Sequence, residues 1–158
     1  MTIDRTAQAG SVRAGDGAYV FQLAELGDVE TGKGYSSAIG PVVEGDRMQC
    51  GLMRKARGSG SRPHHHPNEQ WNYVISGRLR VHIDGEPDRI VGPGTLIYLP
   101  ANKVHATVAL PEEDVVFFVV KDMSFGIVGL PADGTQAGAH YEPGFAPPDK
   151  EHRQNPGA

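Results

Sequence analysis

The chain has 158 residues and a formal net charge of −4 at pH 7. This length fits one domain with a substantial core. The mild acidity, without a basic stripe, excludes a typical nucleic-acid surface. No apolar run approaches the roughly 20 residues of a membrane span, and the polar N-terminus lacks the apolar centre of a signal peptide. We therefore expect a cytoplasmic protein without a membrane partner.

The first third of the chain predicts short strands after a polar start. Residues 1–17 are polar and are expected to form an N-terminal arm. The segment 18–26, AYVFQLAEL, can begin as a strand and then fade into a turn. Two further strands are predicted around 35–43 and 47–54, separated by a Glu-Gly-Asp turn.

The middle of the chain predicts a series of hairpins. A strand with β-branched and aromatic residues covers 69–76, and 79–84 alternates apolar with polar residues. Asp84-Gly85 is a good hairpin turn before the strand 88–91. Another strand follows at 95–100 and ends in a Pro-Ala-Asn turn.

Two more strands are predicted at 105–110 and 115–122. The second, VVFFVVKD, is apolar on both faces, and we interpret Lys121 and Asp122 as its solvated end. Beyond residue 131 the chain is rich in Pro, Gly and polar residues, which predicts a tail that packs through Tyr141 and Phe145 and has a mobile end.

About nine short strands and no helix predict an all-β protein. The expected architecture is an antiparallel β-barrel or double-sheet jelly roll. We assign the barrel to residues 18–130, the N-terminal arm to 1–17 and the C-terminal tail to 131–158.

The stretch HHHPNEQWNY places potential metal ligands on one face of an extended chain. Because alternate side chains of a strand share a face, His64, His66, Gln70 and Asn72 point one way. Trp71 and Tyr73 point the other way, together with Glu69. Gln70 is therefore the favoured oxygen ligand, although a bulge between Pro67 and Glu69 would select Glu69 instead.

A fourth ligand is predicted in the second glycine- and proline-marked unit. His105 follows the Pro100-Ala101-Asn102 turn and can aim its imidazole across the barrel. Three neutral imidazoles and one oxygen donor leave positions open for water or substrate, as in catalytic metal sites. The predicted cofactor is one divalent transition ion, and this ligand set suits Fe, Zn, Ni, Mn, Co or Cu.

These two units resemble the two conserved motifs of the cupins. The first motif is G-(x)5-H-x-H-(x)3,4-E-(x)6-G, and it is met by Gly58, His64, His66, Gln70 and Gly77, with Gln in place of Glu. The second is G-(x)5-P-x-G-(x)2-H-(x)3-N, and it is followed by Gly94, Pro100, Asn102 and His105, with Asn for the second Gly and Ala109 for the last Asn. The resemblance covers roughly residues 40–122 and implies a small single-domain cupin.

The function expected from this combination is a metal-dependent enzyme that acts on a small carboxylate- or enolate-bearing metabolite. A ligand set without a carboxylate leaves the ion its full charge, which favours Lewis-acid isomerisation, dehydration or cyclisation. By resemblance, cupins with three His and one Gln include uronate-processing and polyketide-cyclising proteins. An Fe(II)-dependent dioxygenase and a non-catalytic module that binds a sugar or another small ligand remain open alternatives.

Three further expectations concern catalysis, assembly and the single cysteine. Tyr98, on the strand before His105, and Asn72, on the same face as Gln70, are candidate catalytic residues. Trp71 and Tyr73, together with Ile75, form an apolar outer face, from which we expect a homodimer. Cys50 lies in an apolar run and is expected to be a structural thiol.

Overall fold

The computed structural model describes residues 8–147 and shows an all-β protein, as predicted. Fifteen strands and one 3-10 helix, Leu23–Glu25, are present in this range. The strands are β1 Val12–Arg13, β2 Val29–Glu30, β3 Ile39–Gly40, β4 Val42–Glu44, β5 Met48–Lys55, β6 Ser59–Gly60, β7 His64–His65, β8 Gln70–Ser76, β9 Leu79–Ile83, β10 Arg89–Val91, β11 Leu96–Leu99, β12 His105–Ala109, β13 Val115–Asp122, β14 Leu130–Pro131 and β15 His140–Tyr141.

The strands form two sheets. The eight-stranded sheet has the order β1-β4-β5-β13-β8-β11, with β3 also paired to β5 and β2 paired to β3. The seven-stranded sheet has the order β10-β9-β12-β6-β15, with β7 paired to both β12 and β14. All strand pairs are antiparallel except β1 with β4. This arrangement confirms the predicted double-sheet architecture.

The core lies between the two sheets and follows the period-2 alternation of the long strands. In β13 the buried positions start at Val115 and recur at every second residue, and the intervening residues are half-buried. Burial of this alternating set is the main stabilising term of a sandwich of this kind. The core comprises Val29, Ala38, Val42, Met53, Val74, Leu79, Val81, Ile97, Leu99, Ala109, Val115, Phe117, Val119 and Ile127.

Two predicted strands differ from the structure. Residues 18–22 form no strand, because Asp16 and the flanking glycines have positive φ and fold the chain into a tight turn that leaves Tyr19 and Val20 exposed. Of the predicted strand 35–43, residues 35–38 form a turn and a loop, and the remainder is divided into β3 and β4 by Pro41, which has no N–H to donate to a ladder. The other predicted strands have bounds within one or two residues of those observed.

The segments at both ends of the proposed barrel contribute short strands to the sheets. β1 pairs with β4, and β15 pairs with β6. The ring of Phe145 lies against Gly58, where a Cβ would overlap it. The division into arm, barrel and tail stays a prediction. Residues 1–7 and the expected mobile end of the chain lie outside the described residues.

One outer surface of the eight-stranded sheet is apolar. Five large side chains on β8 and β11 are 41% to 58% exposed, and β11 is the edge strand of this sheet. We call this surface the outer apolar patch; it consists of Trp71, Tyr73, Ile75, Leu96 and Tyr98. Within residues 8–147, no helix is long and apolar enough to span a membrane.

Candidate metal centre

Strand pairing brings three histidines from separate parts of the chain to one point inside the barrel. His64 on β7 and His105 on β12 are direct cross-strand partners. Their ring centroids are 4.3 Å apart, and the centroid of His66 lies 4.9 Å from that of His105. One ligand nitrogen from each of the three rings lies within 4.8 Å of the others, and all three residues are buried. The cluster is therefore a candidate metal-ion site.

Backbone carbonyls determine which nitrogen of each ring faces this point. The Nδ1 atoms of His64, His66 and His105 each lie 2.8 Å from a carbonyl oxygen, those of Arg62, Asn68 and Lys103 respectively. A carbonyl can only accept, so each Nδ1 carries the hydrogen and donates it. The lone pair of a neutral ring then resides on Nε2, and this second hydrogen bond is the usual way in which a metal-binding imidazole is oriented.

Two of these three Nε2 atoms are buried without a hydrogen-bond partner among the described residues. Among the described residues, Nε2 of His66 and Nε2 of His105 are enclosed and lack a hydrogen bond. An unpaired buried acceptor costs free energy comparable to a lost hydrogen bond. Two such atoms directed at one point fit a bound cation, which would satisfy both.

Burial keeps the three imidazoles neutral. Desolvation lowers the pKa of His66 to about 4 and that of His105 to about 3. It also lowers the pKa of His64 well below its usual value, and the positive charge of a protonated His105 would lower it further. Neutral imidazole is the form that binds a metal ion, so at neutral pH the cluster needs no deprotonation.

Gln70 lies beside this cluster on the same face. Its side chain lines the cavity, and its Nε2 donates to Oδ1 of Asn72 at 2.7 Å. That hydrogen bond fixes the orientation of the carboxamide and leaves its Oε1 available as a metal ligand. The contact of His66 with Gln70 partly offsets the lowering of the His66 pKa by burial. Glu69 is exposed on the opposite face. The structure therefore shows the alternation of inward and outward side chains that favours Gln70 over Glu69 as the oxygen ligand.

The two predicted catalytic residues occupy different positions. Asn72 is buried beside Gln70, where it holds the Gln70 amide. Tyr98 is 42% exposed on the outer apolar patch, stacked on Trp71 with a centroid distance of 4.6 Å. A hydrogen bond with Glu69 raises the pKa of its phenol. Tyr98 is not among the residues that line the cavity, so the structure does not bring it to the histidines.

Sequence reasoning missed two buried lysines. The prediction that Lys121 is part of a solvated strand end is wrong, because Lys121 is 3% exposed and lines the cavity. Lys121 is one of the alternate residues of β13 that are buried from Val115 onward, so the period of the strand predicts that it points inward. Lys55, the last residue of β5, is also 3% exposed, and it lies two residues after the buried Met53 on the inward face of that strand. Burial lowers the pKa of each lysine to about 7.

A third missed residue, Tyr35, covers the cluster from the loop before β3. Its ring centroid lies 4.4 Å from that of His64. Burial raises the pKa of its phenol, which therefore stays protonated at neutral pH. Gly129 packs against both side chains, and a Cβ there would overlap them. Tyr35 and Gly129 both lie in irregular loops, so no periodic sequence pattern identifies them.

The enclosed space beside the histidines is small. It has a volume of about 40 Å³ and is lined by polar residues and by apolar core residues such as Met53, Leu99 and Phe117. A water molecule needs roughly 10–15 Å³ measured in this way. The cavity therefore has room for an ion with a few water molecules or for the polar end of a small ligand.

Comparison with known proteins supports the fold. Residues 51–121 match the family model of the cupin domain. The polyketide cyclase RemF from Streptomyces resistomycificus has a TM-score of 0.59 and 20% identity, over 87% of this chain and 94% of that one. The DMSP lyase DddQ from Ruegeria pomeroyi DSS-3 has a TM-score of 0.53 and 21% identity, over 60% of this chain and 47% of that one.

These likenesses extend to the fold alone, because both identities are low. The chain spans less than half of the length of that lyase. No match was found among curated proteins. The match of residues 51–121, the two antiparallel sheets and the histidine cluster agree, and this chain has the double-stranded β-helix fold of the cupins.

Proposed function

We propose that this protein is a metal-dependent enzyme acting on a small oxygen-rich metabolite that bears a carboxylate or can form an enolate. The observation that carries the proposal is the convergence of three buried imidazoles, each with Nδ1 bound to a backbone carbonyl and a ligand nitrogen within 4.8 Å of the others. A merely structural histidine would use both ring nitrogens within the fold. Since a cupin fold supports several reactions, the chemistry must be argued from the site.

In this proposal His64, His66 and His105 hold one divalent transition ion through Nε2, and Gln70 adds Oε1. Asn72 keeps the Gln70 amide in one orientation through the 2.7 Å bond between the two side chains. A bound ion would supply Lewis acidity, which polarises a carbonyl or stabilises developing enolate charge. All four proposed donors are neutral, so none of them reduces that charge.

The surroundings of the histidines favour this kind of chemistry. Tyr35 and Gly129 cover His64 on one side, and core residues form the opposite wall. Most of the side chains that line this cavity are buried, and electrostatic interactions between buried groups are stronger than in water. The small volume limits the reacting end of the substrate to a few atoms beyond the ligand positions.

The experiment has two stages. Protein purified without chelator is first analysed for metals by plasma mass spectrometry, and about one transition ion per chain is expected. The metal-loaded protein is then incubated in D2O with small 2-oxo, 3-oxo and sugar acids, and proton NMR follows exchange at the carbon beside the carbonyl. Enolate formation predicts exchange that depends on the metal and is lost in His105→Ala, whereas Glu69→Ala, on the exposed face, retains it.

The same experiment separates the alternatives. Equal exchange with and without air supports the Lewis-acid reaction, whereas substrate-dependent oxygen uptake by the iron-loaded protein would identify a dioxygenase. Protein that binds no metal would leave only the ligand-binding module. A metal-loaded protein that binds these acids but neither exchanges protons nor consumes oxygen would also contradict the enzyme proposal.

A further inference from the structure

Two lysine side chains point into the barrel beside the histidine cluster. Lys55 at the end of β5 and Lys121 near the end of β13 are each 3% exposed and line the same cavity as His64 and His105. Lysine is rarely buried to this extent without an anionic partner. β13 lies next to both β5 and β8, and Lys121 is the cross-strand partner of Gln70. In the register of this sheet Lys55 is opposite Val115 and Lys121 is opposite Gln49, so the two lysines lie six positions apart along β13, roughly 20 Å between Cα positions.

The contacts of these lysines leave donors unused. Nζ of Lys55 donates to the carbonyl oxygen of Thr107 at 2.8 Å and to its Oγ1 at 2.6 Å, and Nζ of Lys121 donates to the carbonyl oxygen of Ile127 at 2.8 Å. In its charged form a lysine has three N–H donors, so in that form one donor of Lys55 and two of Lys121 have no N or O acceptor among the described residues. Nζ of Lys55 also lies 5.6 Å from the ring centroid of Phe117, and both lysines line the cavity.

No aspartate or glutamate is among the residues that line the cavity. The nearest acid in sequence, Asp122, accepts hydrogen bonds from Ser124 and from the backbone N–H of Glu69. Its negative charge only partly offsets the lowering of the Lys121 pKa by burial. Two ammonium groups and a divalent ion without a carboxylate would be strongly unfavourable in an enclosed space. Either deprotonation of the amines or an anion from solution removes this excess charge, and an anion does so while the lysines stay charged.

We infer that the buried ammonium groups of Lys55 and Lys121 make this cavity an anion-binding site, in which a carboxylate of the substrate lies beside the metal centre. This inference rests on the proposed function and adds two positioning residues and a charge requirement to it. The ligand class is a small carboxylate with a second oxygen next to it or one carbon further away, so that the carboxylate binds an ammonium group while the other oxygen reaches the ligand nitrogens. An anion in this position offsets the desolvation of the charged lysine.

The subsite can be tested by ligand binding rather than by turnover. Isothermal titration calorimetry measures malonate binding to wild type, Lys55→Met and Lys121→Met, each in metal-loaded and metal-free form. Imidazole, a neutral metal ligand, reports binding directed by the metal alone. The matched control is Lys33→Met, because the Lys33 side chain is 85% exposed. Lys55→Gln and Lys121→Gln, which carry no charge but keep an N–H donor, replace any methionine variant that fails to fold.

We expect each buried-lysine variant to weaken malonate binding by about ten- to a hundredfold, the usual range for a lost charge-assisted hydrogen bond. Binding of imidazole by each buried-lysine variant should stay within about twofold of wild type, and Lys33→Met should match wild type for both probes. Unchanged malonate affinity in both buried-lysine variants, or no malonate binding to wild type, would overturn the inference while leaving the metal site intact. If wild type binds no metal, the proposed function fails, and malonate titration of the metal-free protein still decides whether the lysines bind anions.

Discussion

Replacing Lys55 with methionine should stabilise the metal-free protein at pH 6.5 and lose this advantage by about pH 10. Burial lowers the pKa of Lys55 from 10.5 to about 7. The unfolded chain therefore binds more protons than the folded protein between these pH values, and wild-type stability rises with pH across this window. The cost of burying the ammonium group is fully present below pH 7 and disappears as the pH rises through 10.5. Methionine has no such cost at any pH.

The expected magnitude follows from the same values. The difference between 10.5 and about 7, at roughly 1.36 kcal/mol per pH unit, limits the cost of the charge to about 5 kcal/mol. Methionine loses the two hydrogen bonds to Thr107, which contribute about 1–2 kcal/mol together. The Thr107 carbonyl keeps the backbone N–H of Ser61 as a donor at 2.9 Å. We therefore expect a net stabilisation of about 3 kcal/mol at pH 6.5 and a difference near zero or reversed at pH 10.

Urea unfolding of metal-free protein at a series of pH values measures this difference directly. Lys55→Met and wild type should have equal m-values, so that the change in midpoint reports stability alone. Lys33→Met serves as the control and should follow the wild-type curve, because its side chain is exposed. A stability difference between Lys55→Met and wild type that does not vary from pH 6.5 to 10 would refute the assignment of Lys55 as a desolvated base.

The remaining predictions concern the metal and the assembly. His64→Ala and His105→Ala should each abolish metal retention, measured by plasma mass spectrometry after dialysis, while circular dichroism shows the β fold intact. Gln70→Ala should weaken metal affinity by at least about tenfold in a competition titration, the usual scale of damage to a metal site, and Glu69→Ala should not; equal losses would contradict the face assignment. Light scattering at micromolar concentration should give the mass of a homodimer that buries the outer apolar patch, and a monomer mass would exclude it.

The sequence predicted the elements whose local pattern and tertiary role agree. The strands β8, β12 and β13 alternate or carry dense β-branched residues, and their observed bounds follow the predicted ones closely. The glycine position filled by Asn102 has a φ of 63°, as expected for the residue type that best tolerates that conformation after glycine. Ala109, at the position of the missing final asparagine, is fully buried in the core, so the site loses no partner through that replacement.

The parts that could not be predicted depend on contacts distant in sequence. Tyr35 reaches His64 only because its loop folds over the barrel end, and no periodicity records that contact. Tyr98 was assigned by proximity to His105 in sequence, but it alternates with the buried Ile97 and Leu99 and so faces outward. The prediction for Tyr98 relied on its residue type and not on the alternation of inward and outward side chains along the strand. The prediction that Lys121 is solvated contains the same error.

The two buried lysines connect the stability of the fold to its proposed function. A barrel selected for stability alone would carry methionine or leucine at Lys55 and Lys121, since each ammonium group is desolvated without a carboxylate partner in the cavity. Both residues face the histidine cluster, whereas the exposed Lys33 pairs with Glu30 on the surface. If Lys55→Met stabilises the protein and also weakens malonate binding, the energetic cost of the lysine is explained by anion binding. If it stabilises the protein and leaves malonate binding unchanged, Lys55 is only a structural donor to Thr107.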